Sequence, residues 1–322
     1  MTSNLQSSIS DLRSQCDLCG STKARFCLTT PRLDGPLVQC EECKLFYIAM
    51  PAVPTPTDLP VQPAAAIVPV VSESEIAVAE MVRLATRAQE LALVEPTVEE
   101  REHKWREITA AERMNDLLRV TAIKNKGGRL LEIGSSTGEF LAAASSIFKV
   151  TGVEADAASY AIARARGFNC FNGTLFGAQL PNAHFDIVTL YHVIEHFPSP
   201  QQVLKEIHRI LWPKGWLVIE TPNIATIWYS LLGKRWRQFI PDHRFFFTPD
   251  TIRRICVENG FEVVAIQSVS KAMSLRLFIS RVGRYHKPTA QLLAKWSDAL
   301  HLSDKTLYLN LGDVMRVYAR RK

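Results

Sequence analysis

Leu130-Leu131-Glu132-Ile133-Gly134-Ser135-Ser136-Thr137-Gly138-Glu139-Phe140 reads as a strand, a glycine turn and the start of a helix. Arg129 to Ile133 supply the short apolar run of a buried strand, and Phe140-Leu141-Ala142-Ala143-Ala144 opens a helical pattern. Gly134 and Gly138 let the backbone turn sharply and approach a ligand closely. Glu132 stands at the strand's end, where an open α/β sheet places its ligand crevice. Glu154 closes the next apolar run, Lys149 to Val153. An acid about 20 residues beyond a glycine turn is placed to hold ribose hydroxyls. The spacing Glu-x-Gly-x-x-x-Gly lacks the second glycine of a dinucleotide fingerprint, and no Gly-Lys-Ser/Thr follows to make a phosphate loop.

At 322 residues the chain has room for about two domains. Its apolar share of 47% and charged share of 22% are those of a globular protein rather than a disordered one. A net charge of +6 permits an anionic ligand without requiring nucleic acid. No apolar run is long enough to span a membrane, and Met1 to Ser14 lacks a signal-peptide core, so a cytoplasmic protein is expected. The seven cysteines are then not a disulfide framework.

Two Cys-x-x-Cys pairs, Cys16/Cys19 and Cys40/Cys43, stand 20 residues apart, the spacing of a four-cysteine zinc site. Each turn aims two thiolates at one tetrahedral ion, and a closed thiolate set is structural rather than catalytic. Cys27 reads as a bystander. Whether this ribbon is a folding staple or a platform for substrate or partner stays open. The expected order is a polar tail (1–12), the zinc ribbon (13–50), a linker (51–70), a helical cover (71–126) and a catalytic domain (127–322). Six of the 17 prolines fall between Pro51 and Pro69, which favours an extended linker. Ser72 to Glu95 predicts a helix stopped by Pro96, and Thr97 caps a second one that runs toward Gly127. Beyond Gly127, short apolar strands alternate with amphipathic helices, which implies a mainly parallel sheet. Strands are expected near 129–133, 149–153, 169–172, 185–190, 216–220, 261–267 and 314–319, with a helix over Pro249–Asn259.

The opening stretch resembles the first motif of the class I S-adenosylmethionine-dependent methyltransferases. Further pieces match a small-molecule subgroup with an amino-terminal zinc ribbon: Phe185-Asp186-Ile187-Val188, His192-Val193-Ile194-Glu195-His196, Leu211-Trp212-Pro213-Lys214-Gly215, Glu220-Thr221-Pro222-Asn223, His243, Phe247-Thr248-Pro249 and Gly260-Phe261. Trp212 and Trp216 depart from that pattern. The resemblance covers about 127–322. It implies a Rossmann-like seven-stranded, mostly parallel sheet with an antiparallel carboxy-terminal strand. It also implies S-adenosylmethionine as cofactor, beside the structural zinc.

By that resemblance Glu132 orients the methionine amino group and Gly134, Ser135 and Gly138 line the amino-acid part. Glu154 takes the ribose hydroxyls, Thr174 and Leu175 border adenine, and Tyr191 and His192 lie near the sulfur. His243 is the first candidate for a base and His192 the second, whereas His196 reads as a structural histidine. The ubiquinone-pathway O-methyltransferases carry a similar Glu-Val-x-Glu-His segment with divalent-metal dependence, and here His192, Glu195 and His196 occupy it. Lys234-Arg235-Trp236-Arg237 is either a solvated basic loop or an anion site for the acceptor. The acceptor is expected to be a small biosynthetic intermediate such as a sugar or phenol, methylated at oxygen or carbon. The other readings are methylation of RNA or protein, and a non-catalytic scaffold of the same fold.

Overall fold

The computed structural model describes residues 15–49, 98–123, 127–283, 286–303 and 305–322. The tail, the proline-rich stretch, the helix expected over Ser72–Glu95 and the Thr97 cap lie outside the described residues. Seven strands form the main sheet: β4 (Arg129–Ile133), β5 (Lys149–Glu154), β6 (Cys170–Asn172), β7 (Phe185–Tyr191), β8 (Leu211–Pro222), β10 (Phe261–Ser268) and β13 (Val314–Arg321). Their order is β10-β13-β8-β7-β4-β5-β6. The pairs from β8 through β6 are all parallel, and β13 runs antiparallel to both β8 and β10. This is the mostly parallel Rossmann-like sheet that the sequence implied.

The strand order reverses between β4 and β7, so the crevice of an open α/β sheet lies beyond the ends of those two strands. Glu132 and Tyr191 stand there. The strands hold that position because they are buried on both faces: Leu130, Leu131, Ile187, Val188, Leu190, Leu217, Val218 and Ile219 are all inaccessible. On one side the sheet is covered by α1 (Val98–Thr121) and α2 (Glu139–Ser145). Ala110, Met114 and Leu117 of α1 pack with Leu130, Phe140, Ala144 and Ile187. Burying Met114 and Leu117 is worth about 1.5–3 kcal/mol each, enough to seat the helix. On the other side lie α4 (Pro200–Ile210) and α6 (Pro249–Glu258), each with proline in its first turn and an oxygen cap, from Ser199 and Thr248. Two further helices, α3 (Ala157–Ala165) and α5 (Ile227–Leu232), follow β5 and β8.

Two features differ from the sequence expectation. β8 begins five residues earlier than expected, because Leu211 already pairs with Phe185, and residues 212–215 bulge before Trp216 pairs with Ile187. Between β10 and β13 lie a hairpin of β11 (Lys271–Ser274) and β12 (Thr306–Leu309) and two helices, α7 (Leu275–Gly283) and α8 (Lys287–Ala299). The short strands, the exposed Leu292 and Trp296 of α8 and the exposed Leu300 just after it give no inward pattern to read from sequence.

The cysteine module is a small antiparallel sheet of β1 (Ala24–Leu28), β2 (Leu37–Cys40) and β3 (Phe46–Ile48). A fourth strand, β9 (Phe245–Phe246), comes from the catalytic half and pairs with β3. The two halves also share one apolar core, in which Leu18, Val38, Leu45 and Tyr47 join Val203, Ile207, Ile252 and Ile255.

Candidate active site

Under α1, at the end of β4, lies a cavity of about 310 Å3. Trp105, Thr109 and Arg113 of α1 form its roof, and Glu132, Ser135 and Tyr191 its floor. Glu132 is buried, and its Oε2 has no hydrogen-bond partner among the described residues. Burial pushes its carboxyl well above the ordinary value, and the nearby Arg113 charge offsets this only in part. The turn above Glu132 requires glycine. Gly134 has φ +71°, and a Cβ there would meet Val193 Cγ2 at 2.5 Å. Gly138 has φ +87° and a Cβ would meet Phe168 at 2.8 Å. Glu154, across the crevice, accepts from the backbone N–H of Ser136 at 2.7 Å and of Asp156 at 2.8 Å. Each carboxylate oxygen keeps a second lone pair for a ligand hydroxyl.

Behind the cavity stands a cluster of buried charge. Glu220, at the end of β8, accepts from Arg113 Nη2 at 2.7 Å and from Arg316 Nη2 at 2.6 Å and Nε at 2.9 Å. Arg316 also donates to Asp116 on α1 at 2.7 Å. The Arg113 guanidinium lies 4.2 Å from the centre of the Tyr191 ring. Burial opposes the Glu220 charge, but Arg113, His192 and Arg316 outweigh it and hold the carboxyl well below its ordinary range.

His192 follows Tyr191 with φ +59°, a conformation unusual for a residue with a side chain. Its N–H donates to the Glu220 carbonyl at 2.8 Å. Its ring lies between two buried carboxylates, with Nε2 3.2 Å from Glu220 Oε1 and Nδ1 3.5 Å from Glu195 Oε1. Glu195 also accepts from the Thr221 hydroxyl at 3.1 Å. Burial raises the Glu195 carboxyl, but the His192 hydrogen bond and the His192 and His243 charges outweigh this, so it stands below its ordinary value. Both His192 ring nitrogens therefore face a buried carboxylate.

His243 is buried, with Nε2 4.0 Å from Glu195 Oε1 and Nδ1 lacking a partner among the described residues. Its ring meets that of His196 edge to face at 4.6 Å. His196 is half-buried, and its Nδ1 lies 3.1 Å from the Asp242 carbonyl. A carbonyl only accepts, so Nδ1 carries the proton and Nε2 is the lone-pair nitrogen of the neutral ring. Glu195, His196 and His243 each bring one donor atom within 4.8 Å of the others, so they could also hold a divalent cation.

Burial drives the His243 pKa down to about 4, from 6.5, although the Glu195 charge opposes it. The unfolded chain therefore binds more protons than the folded one between these values, and stability falls as pH drops from about 6.5 toward 4. The loss expected from this one group is about 3 kcal/mol. Glu132, with its raised carboxyl, contributes in the opposite sense. Urea midpoints at pH 7 and pH 5 on wild type and His243→Gln isolate the histidine: the variant should lose less stability on acidification than wild type does.

A family profile described as a methyltransferase domain matches residues 99–266, more than half of the chain. The chain belongs to this methyltransferase family. Its relatives include the ubiquinone biosynthesis O-methyltransferase of Pseudomonas aeruginosa, 28% identical over 166 residues that cover 45% of this chain and 71% of that protein. The enzyme of the same name from Burkholderia pseudomallei is 26% identical over 159 residues, 47% and 68% of the two chains. A probable S-adenosylmethionine-dependent methyltransferase of Mycolicibacterium smegmatis is 36% identical over 80 residues, 24% and 31% of the two chains. Among solved structures, a possible histamine N-methyltransferase of Thermotoga maritima superposes with a TM-score of 0.44 at 21% identity, over 74% of this chain and 97% of that one. The protein is thus an S-adenosylmethionine-dependent methyltransferase.

The methyltransferase brings Glu132, Gly134, Ser135 and Tyr191 together around one cavity. Gly138 caps α2 beside it and Glu154 faces the same turn through Ser136. Thr174 is exposed, with its hydroxyl accepting from Gly177 N–H at 3.1 Å. The Leu175 side chain is in the core, so Leu175 has only backbone to offer adenine. The basic stretch is largely structural: Trp236 is fully buried and Arg237 Nε donates to Asp313 at 2.7 Å. An anion site there would rest on the exposed Lys234 and Arg235. Sequence reasoning missed Arg113 and Arg316. Each acquires meaning only from Glu220, more than 90 residues from either.

The four cysteine sulfurs lie within 4.8 Å of one another, with Cys16–Cys43 at 3.3 Å and Cys19–Cys40 at 3.5 Å. Tetrahedral thiolates at about 2.3 Å from zinc would stand roughly 3.8 Å apart, so the set fits the ion with little movement.

Among the described residues no helix is long and apolar enough to cross a membrane.

Proposed function

We propose that this methyltransferase methylates a hydroxyl of a small biosynthetic acceptor, a phenol or sugar, with zinc held structurally by Cys16, Cys19, Cys40 and Cys43. The observation that carries the reading is the unpartnered, buried Glu132 beneath the cavity, and the proton acceptor is sought at His196, outside that cavity, where the Asp242 carbonyl fixes the tautomer. The O-methyltransferase names of the relatives support oxygen as the methylated atom.

When bound, S-adenosylmethionine supplies a methyl group made electrophilic by the sulfonium. Glu132 would receive the methionine ammonium, and Gly134, Ser135 and Gly138 would line that part with backbone. Glu154 would take the ribose hydroxyls, and the backbone at Thr174 and Leu175 would border adenine. Tyr191, whose buried hydroxyl lacks a partner among the described residues, would face the methionine end. His196 Nε2 takes the acceptor's hydroxyl proton. The sequence favoured His243, then His192, for that task. The reading moves to His196 because His243 is buried and a weak base, and because the His192 nitrogens both face carboxylates. His192 then acts as a positioning ring between Glu195 and Glu220.

The test is a screen of catechols, phenols and sugar nucleotides for S-adenosylhomocysteine release, with the methylated atom assigned by NMR. Transfer to an RNA or protein fraction, and none to small molecules, would overturn the reading. A second reading, a divalent cation on Glu195, His196 and His243, is favoured by their convergence. It predicts that chelation abolishes turnover at constant cysteine-bound zinc; undiminished activity would remove it.

A further inference from the structure

The cysteine module does more than close on its own metal. It grips the chain on both sides of the Glu195–His196–His243 cluster. On one side, Asp17 lies between Cys16 and Cys19 and reaches the start of α4, directly after His196. Its carboxylate accepts from the Ser199 hydroxyl at 2.6 Å and the Gln201 N–H at 2.9 Å, and the Gln201 side chain donates to the Asp17 and Leu18 carbonyls. On the other side, β3 pairs with β9, through Phe46 with Phe246 and Tyr47 with Phe245. The Ile48 N–H donates to the Arg244 carbonyl at 2.9 Å, and the Arg244 N–H donates to the Glu195 carbonyl at 2.8 Å. The Asp242 N–H donates to Asp34 of the module at 3.4 Å, and the Asp242 carbonyl fixes the His196 tautomer. None of these contacts touches the cavity under α1.

We propose that the four-cysteine module is the rear wall of the acceptor half of the active site, with Asp17 as a positioning residue for His196. A metal-loaded module clamps 199–201 and 242–246, and so sets the distance between His196 and His243. The cofactor half, built on β4, β5 and α1, stands apart from it. Of the two readings left open by the sequence, the proposal takes the working platform over the isolated staple. The inference rests on reading Glu195, His196 and His243 as the acceptor half. Its test uses ring positions and cofactor affinity, so a His196 that proves not to be the base leaves the outcome unaffected.

The experiment uses the full chain labelled with 15N-histidine, with zinc measured colorimetrically and S-adenosylhomocysteine affinity measured by calorimetry. Three samples are compared: zinc-loaded wild type, wild type stripped with a mercurial and reduced, and zinc-loaded Asp17→Ala. In the stripped protein the His196 and His243 ring resonances should shift or broaden and return when zinc is restored. The S-adenosylhomocysteine Kd should change less than twofold. Asp17→Ala should keep one zinc per chain and the same Kd, yet move the His196 ring. Unchanged histidine resonances in both altered samples would overturn the proposal and make the module an independent staple. Loss of S-adenosylhomocysteine binding along with the shifts would also overturn it, because zinc would then support the whole fold rather than the acceptor half.

Discussion

Replacing Glu220 by alanine should cost the fold about 3–5 kcal/mol, read as a fall in the urea midpoint at an unchanged slope. The magnitude follows from what the carboxylate holds. Arg316 is 3% exposed and directs two of its nitrogens at Glu220, and Arg113 directs a third. Without the carboxylate two guanidinium groups remain in a low-dielectric interior, where Arg316 keeps its ion pair with Asp116 and Arg113 loses its hydrogen-bonded carboxylate. The substitution also frees the His192 ring on one side and loosens α1, whose Arg113 and Asp116 both tie into the cluster. Glu220→Gln keeps the shape and one acceptor, so it should lose less. A variant as stable as wild type would show that the cluster does not hold the cover helix down.

His196→Asn should lower kcat by about 10²–10⁴-fold on whichever acceptor the screen finds, the usual contribution of a positioned general base. The Kd for S-adenosylmethionine should stay within twofold, because His196 does not line the cavity. The loss should shrink at high pH with acidic phenols, which ionise without help. His192→Asn makes the contrast. It removes the ring that lies between Glu195 and Glu220 and should lower stability along with turnover. If His196→Asn kept full turnover while His243→Asn lost it, the base would be the residue the sequence first favoured.

The centre of the catalytic sheet was legible because β4, β7 and the second half of β8 are buried on both faces and read as apolar runs. β4 matches its expected bounds, and β5, β7 and β10 each extend one residue beyond theirs. The glycine turn was legible for a steric reason: Gly134 and Gly138 sit where a Cβ collides. The convergence of the Cys-x-x-Cys pairs was legible because each tight turn points two sulfurs the same way. What the sequence hid is non-local. β9 is two residues long and acquires meaning only by pairing with β3, about 200 residues earlier. The choice among three histidines turns on which ring nitrogen meets an acceptor, and spacing carries no such information. Lys234-Arg235-Trp236-Arg237 stayed open between a solvated loop and an anion site because Asp313, the partner of Arg237, lies 76 residues on.

The most direct test of the whole account is calorimetric titration of S-adenosylmethionine and S-adenosylhomocysteine into wild type, Glu154→Ala and Glu132→Gln. The account predicts micromolar binding to wild type, weakened by about fivefold or more in each variant, which corresponds to about 1 kcal/mol of lost hydrogen bonding. Folded, zinc-loaded wild-type protein that binds neither ligand, or binds both with the same affinity in all three forms, would contradict it.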